Sequence, residues 1–138
     1  HDAGKVSVST EILDKPSDPN DKEWTIIKDH PVCSFNILSK ISSLRPIADI
    51  SACHHERFDG KGYPNQLKSA DINLHAQIIA IADSYDAMTS TRAYQEGMPP
   101  KVAFKIIEQE LVKQFHPDIG DVFLSISPKH INAAIDMA

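Results

Sequence analysis

Residues 73–94 read NLHAQIIAIADSYDAMTSTRAY. Ile78, Ile79, Ala82, Tyr85 and Met88 fall on one stripe at helical spacing, with Asp83 and Asp86 one turn apart on its edge. This is the clearest periodic segment of the chain, and its period is that of a helix. A carboxylate inside IIAIADSYDAM is costly to bury unless it is paired or bound to a metal. Asp83 is therefore either an ion-pair partner, with Arg92 the candidate, or a ligand.

Upstream, Ile26, Ile27, Ile37, Leu38 and Ile41 also keep helical spacing, and Pro31 interrupts them. That predicts two helical pieces meeting near His30. Residues 46–58 carry Ile47, Ile50, Cys53 and Phe58 around His54 and His55, which suits a helix begun near Pro46 and stopped before the glycines. The stretch DGKGYPNQL (59–67) crowds Gly60, Gly62, Pro64 and Asn65 together and reads as a loop. Downstream, Val102, Ala103, Ile106, Ile107 and Leu111 predict a long amphipathic helix from about Pro100 to Phe115, with one or two short helices after it. DKPSDPNDK (14–22) reads as an irregular connector, and no segment alternates with period two. The expectation is an all-α helical bundle of about six or seven helices with a central Gly/Pro-rich loop, formed as a single domain over residues 1–138.

The 138 residues, 41% of them hydrophobic, suffice for one core. A net charge of -5 without any Lys/Arg block excludes a grip on long nucleic acid. A small anionic ligand stays compatible, because bound divalent cations reverse the local sign. No apolar run approaches the roughly 18 residues of a membrane span, so no membrane contact is expected from this segment. The two cysteines, Cys33 and Cys53, form no C-x-x-C pair and read as reduced, mostly buried thiols of a cytoplasmic protein. The first residue is His rather than Met, which predicts a processed or excised piece of a longer product.

Of seven histidines, His1, His30, His54 and His55 stand on or beside expected helices near carboxylates. Imidazole with carboxylate and no thiolate suits borderline transition metals such as iron, manganese, zinc or nickel. Each piece alone has a plainer reading. His1-Asp2 is also an ordinary helix end, and His30 before Pro31 also caps the last carbonyls of a helix. Adjacent helix residues diverge by about 100°, so His54 and His55 either reach two different ions or divide into one buried and one solvated ring. In HHERFDGKGYP (54–64), Gly60 and Gly62 permit close backbone approach, Phe58 and Tyr63 offer faces for a base, and Arg57 and Lys61 offer charge for phosphate.

Taken in order, HDAGK (1–5), His30-Pro31, HHERFDGKGYP (54–64) and DSYDAMTSTRAY (83–94) resemble the signature of the HD-GYP domains, a branch of the HD phosphohydrolase superfamily. The resemblance implies an HD-domain-like bundle that hydrolyses cyclic di-GMP to pGpG and, in some members, to GMP. It implies metal ligands at His1, Asp2, His30, His54, His55 and Asp83, with Asp2 bridging two divalent ions, iron or manganese. A water shared by two such ions has its pKa lowered from about 15.7 toward 7 and becomes a nucleophile. Asp2 and Lys5 are thereby the implied catalytic residues. Lys5, Gly62, Tyr63, Pro64, Asp86 and Arg92 are the implied substrate contacts.

The family usually carries helices upstream of the HD pair, with a Glu and a His for a third metal, and this sequence has no counterpart of them. The chain thus reads as N-terminally incomplete relative to the family. Gln95 stands where a basic residue is usual, and His116 where an acidic one is usual. The implied partners are cyclic di-GMP and a diguanylate cyclase or regulatory domain of a longer parent chain. Two other functions fit the motifs: a catalytically impaired module that binds cyclic di-GMP or docks a signalling partner, and a generic HD phosphohydrolase.

Overall fold

The HD pair opens a 3-10 turn, Asp2–Ser7, rather than ending an α-helix. In the computed structural model, which describes residues 1–91 and 96–135 with the side chains of 132 and 135 excepted, it is followed by a single helical turn, α1 (Thr10–Leu13). α2 (Asp21–Lys28) starts at a reciprocal cap: the Asn20 side chain accepts from the Lys22 and Glu23 amides, and the Glu23 carboxylate accepts from the Asn20 amide. Only Asp29 separates it from α3 (His30–Leu38), whose first turn holds Pro31 where a missing N–H is harmless. α4 (Arg45–Cys53) uses Pro46 in the same way. α5 (Leu74–Thr89), α6 (Pro100–Gln109), α7 (Pro117–Ser125) and α8 (Pro128–Ile135) complete an all-α architecture with eight α-helices and no strand among the described residues. The expected break near His30, the start near Pro46 and the 59–67 loop are all present.

Two expectations are corrected. The helix from Pro100 stops at Gln109 instead of Phe115. Val112 takes a left-handed φ of 67°, and its amide donates to the Phe115 carbonyl at 2.9 Å, so the chain hooks back and drops Phe115 into the core. The apolar stripe of α5 is also turned from the one read in the sequence. Ala76, Ile81 and Tyr85 are buried, whereas Ile78 is 48% exposed and Ala82 is exposed. The helix presents Ile81, Tyr85 and Met88 to α6 and α7, and Ile78 and Ala82 are left bordering open clefts beside α7 and α8.

The main apolar cluster lies in this second half of the chain: Ile81, Tyr85, Ala103, Ile107 and Phe115, with Phe104 and Phe123 set edge-on to Tyr85 at 5.7 and 5.5 Å. The first half is built differently. Apart from Val8 and Pro31 its buried residues are small or polar, among them Ala48, His30, Ser34, Ser51 and His54, so α3 and α4 pack closely with little apolar side chain between them. Greasy packing therefore stabilises one half and directed hydrogen bonds the other. Ile107→Ala, at a fully buried position, is expected to cost about 2–5 kcal/mol in urea denaturation. Val122→Ala, 65% exposed, should stay within about 0.5 kcal/mol.

Candidate metal centre

Glycine at position 4 decides whether the HD pair reaches α3. A Cβ on Gly4 would fall 2.0 Å from the His30 carbonyl oxygen and 2.5 Å from the Ser34 nitrogen. With no side chain, the Gly4 amide donates to Ser34 Oγ at 2.7 Å, and that hydroxyl donates on to the His1 carbonyl at 2.8 Å. Ser34 is fully buried and so pins the HD turn at both ends. Neither residue was singled out from the sequence; the signal available was a glycine in HDAGK with no turn to explain it.

The turn carries Asp2 into a cluster with His30, His54 and His55, whose ligand atoms all lie within 4.8 Å of one another. His30 Nδ1 is 2.7 Å from the Ile27 carbonyl, and His54 Nδ1 is 2.7 Å from the Ser51 carbonyl. A carbonyl only accepts, so both Nδ1 atoms carry the proton and each Nε2 turns a lone pair inward. The two Nε2 atoms are 3.3 Å apart, and Asp2 Oδ1 lies 3.3 and 3.6 Å from them, buried and without a hydrogen bond. Three electron-rich atoms converging in a buried space repel one another unless a cation sits among them. The donor set of imidazoles and carboxylate suits a divalent metal.

His1 and Asp83 close the other side. His1 Nε2 lies 3.6 Å from Asp2 Oδ2 and 3.5 Å from Asp83 Oδ1, and Lys5 Nζ donates to Asp2 Oδ2. The six residues expected as ligands are thus brought together, and the two oxygens of Asp2 face different halves of the cluster. His54 and His55 fall in the same half, not in two. His54 is the C-cap of α4 and His55 lies beyond it, so the divergence of neighbouring helix residues does not apply. The partner of Asp83 is His1; Arg92 and Gln95 lie outside the described residues.

Burial and the adjacent His54 and His30 push the His55 pKa down to about 3, which keeps its ring neutral. Burial opposes charge on Asp2, and the Lys5 ammonium that donates to its Oδ2 favours the ionised carboxylate. The Asp83 carboxylate raises the His1 pKa above its ordinary value in spite of partial burial.

The glycine-rich loop forms one wall. Tyr63 stacks on His55 at 4.8 Å and 25°, and burial, with Asp2 and Asp83 nearby, pushes its phenol up to about 12, so it stays protonated. Gly62 is needed because a Cβ there would lie 2.4 Å from the Arg57 nitrogen. Glu56, buried and not singled out from the sequence, accepts from the Asn65 and Leu67 amides at 2.7 and 3.0 Å and clamps the loop just after Pro64. Gly62 and Tyr63 border a cavity of about 410 Å³ that also reaches His54, His55 and Asp83. Asp86 instead accepts from Ser90 Oγ at 2.8 Å and borders a separate cleft beside His1.

Other readings of the loop are revised. Arg57 is a strut, bonded to both Asp59 oxygens at 3.1 Å and to Gln114 at 3.2 Å. Phe58 is set edge-on to His116, and His116 caps α7 by accepting the Asp118 amide at 3.2 Å, which accounts for that histidine. Cys33 and Cys53 are free and half-buried, rather than mostly buried.

An all-helical scaffold presenting an HD pair to three further histidines and an aspartate is the architecture of an HD domain. The HD domain family matches residues 1–119, and the chain belongs to it. It is 41% identical over 128 residues to a cyclic di-GMP phosphodiesterase of Thermotoga maritima, covering 91% of this chain and 35% of that protein. It is 37% identical over 118 residues to 3'3'-cGAMP-specific phosphodiesterase 3 of Vibrio cholerae, covering 86% of this chain and 26% of the relative. A cyclic di-GMP phosphodiesterase response regulator of Xanthomonas campestris pv. campestris is 34% identical over 126 residues, which is 90% of this chain and 33% of the relative. The chain spans about a third or less of the length of these relatives.

Gly4→Ala should abolish manganese binding measured by calorimetry while leaving the helical circular dichroism in place, because it displaces only the HD turn. In the unaltered chain, manganese affinity should fall by up to about tenfold per pH unit below the raised pKa of His1, where a proton competes with the metal. His55 stays neutral through that range and adds nothing to the slope. Affinity that is flat between pH 8 and pH 5.5 would remove His1 from the ligand set.

Proposed function

We propose that this chain is the output domain of a longer signalling protein and hydrolyses the phosphodiester bonds of cyclic di-GMP, giving pGpG, with GMP the product of any second cleavage, and with two divalent ions, iron or manganese. The observation that carries the reading is the convergence of Asp2 Oδ1, His30 Nε2 and His54 Nε2 with no donor among them. The opposite orientation of Asp2 Oδ2, toward His1, supports a bridging role and hence two ions. His30, His54, His55 and Asp2 would hold one, and His1, Asp83 and Asp2 the other. Bound there, the pair supplies an activated water and neutralises charge on the phosphate.

The chain's own residues do the rest. The Ile27 and Ser51 carbonyls fix the tautomers of His30 and His54, which keeps their ligand atoms aimed inward. Lys5, whose ammonium donates to Asp2 Oδ2, would meet a nonbridging phosphate oxygen. Tyr63 and Gly62 bound the cavity a nucleotide would enter, with Pro64 next in the clamped loop, while Asp86 and Arg92 are assigned to the substrate by family resemblance. No described helix is long and apolar enough to cross a membrane. The two free thiols suit a reducing cytoplasm. A diguanylate cyclase or a regulatory domain of the parent chain is the partner this reading expects.

Manganese-loaded protein should convert cyclic di-GMP to pGpG, followed by chromatography, and 3'3'-cGAMP serves as the competing substrate. Asp2→Asn should lower kcat by at least about 100-fold, since it weakens both halves of the cluster together. Binding of cyclic di-GMP without turnover would favour the impaired-module reading, and cleavage of other phosphoesters alone the generic phosphohydrolase.

A further inference from the structure

α2 presents an exposed aromatic side chain to the metal cavity. Trp24 and Lys28 stand one turn apart on it, and both border the 410 Å³ cavity that reaches His54, His55 and Asp83. Trp24 is 44% exposed. Lys28 Nζ lies 5.6 Å from the centre of the indole and 5.7 Å from the centre of the Tyr63 ring, so its ammonium sits over both aromatic faces. Tyr63 also stacks on His55. The ring faces turned to the cavity therefore belong to Tyr63 and Trp24, and the cation over them is a surface lysine that can swing away.

The placement of α2 is fixed independently of any ligand. The Asn20–Glu23 cap anchors its start, and Lys15 Nζ bonds both Glu23 oxygens at 3.0 and 2.7 Å. Its end leads through Asp29 directly into His30. The aromatic platform is thus joined through one helix to the metal cluster, with Trp24 six residues and Lys28 two residues before His30. A planar π-face, a mobile cation and a phosphate-sized centre in one cavity are the elements that hold a nucleotide.

We propose that Trp24 and Lys28 form the nucleobase subsite of this cavity: the indole stacks a purine, and Lys28, displaced from over the ring, donates to the O6 and N7 acceptors of guanine. Adenine offers an amine at the place of O6, so the lysine favours guanine over adenine. Lys61, exposed on the facing loop and without an ion pair among the described residues, leaves that rim positively charged. This inference rests on the phosphodiesterase reading above for the identity of the ligand.

Trp24 is the only tryptophan in the chain, so its fluorescence reports on this subsite alone. Titrating the manganese-loaded chain with cyclic di-GMP should quench that emission saturably, whereas dimethyl phosphate, a diester without a base, should not. Trp24→Ala should raise KM for cyclic di-GMP by about 5- to 100-fold with kcat changed less than twofold, and Trp24→Phe should recover most of the loss. Lys28→Ala should narrow the preference for cyclic di-GMP over cyclic di-AMP. Hydrolysis with no quenching, or an unchanged KM in Trp24→Ala, overturns the subsite and leaves the hydrolase standing. Saturable quenching without turnover does the reverse, and the absence of both ends both.

Discussion

The contact on which the site depends is between a hydrogen atom and a carbonyl. Gly4 lies so close to the His30 carbonyl that no other residue fits, and Ser34 bonds the turn on either side of it. That approach sets Asp2 against the imidazoles of α3 and α4, and through Asp2 it brings in His1, Lys5 and Asp83. Removing the approach would leave His30, His54 and His55 together and take the HD pair away from them. Catalytic centres need their groups held to within a fraction of an ångström, and here backbone contact supplies that precision in place of apolar packing.

The division of the molecule into two differently stabilised halves follows from the same demand. Around Tyr85 and Ile107 the chain buries large apolar side chains. Around His30 and His54 it buries imidazole, hydroxyl and carboxylate, each of which loses water on folding. Most of those groups recover partners from backbone carbonyls and amides, as Glu56 does from Asn65 and Leu67. Asp2 Oδ1 recovers none among the described residues, and it is the atom around which the site is organised. A cation bound there would stabilise the folded state as well as equip it for chemistry.

Much of this was legible in the sequence, because helix breaks and metal ligands are signalled by residue type. Pro31 and Pro46 mark helix starts, the glycines of 59–67 mark a loop, and the six His and Asp residues expected as ligands sit in motifs whose order is distinctive. What stayed hidden depends on tertiary contact. Nothing local says that Gly4 must touch α3, that Glu56 clamps the loop, or that Val112 turns left-handed and ends α6 early. The stripe of α5 was misplaced because Ile78 and Ala82 keep the helical period as well as Ile81 and Tyr85 do, and only the neighbouring helices choose between them. Trp24 looked like an unremarked surface residue until the cavity placed it beside His55 and Tyr63.

The central claim is that the convergence of lone pairs on Asp2 Oδ1 exists to hold a metal. Anomalous diffraction from crystals grown with manganese tests it most directly. The account predicts a strong anomalous peak enclosed by Asp2, His30 and His54, with His55 completing that half of the cluster. Data collected at the manganese edge that place no anomalous scatterer there, with a water or an imidazolium proton joining those atoms instead, would contradict it.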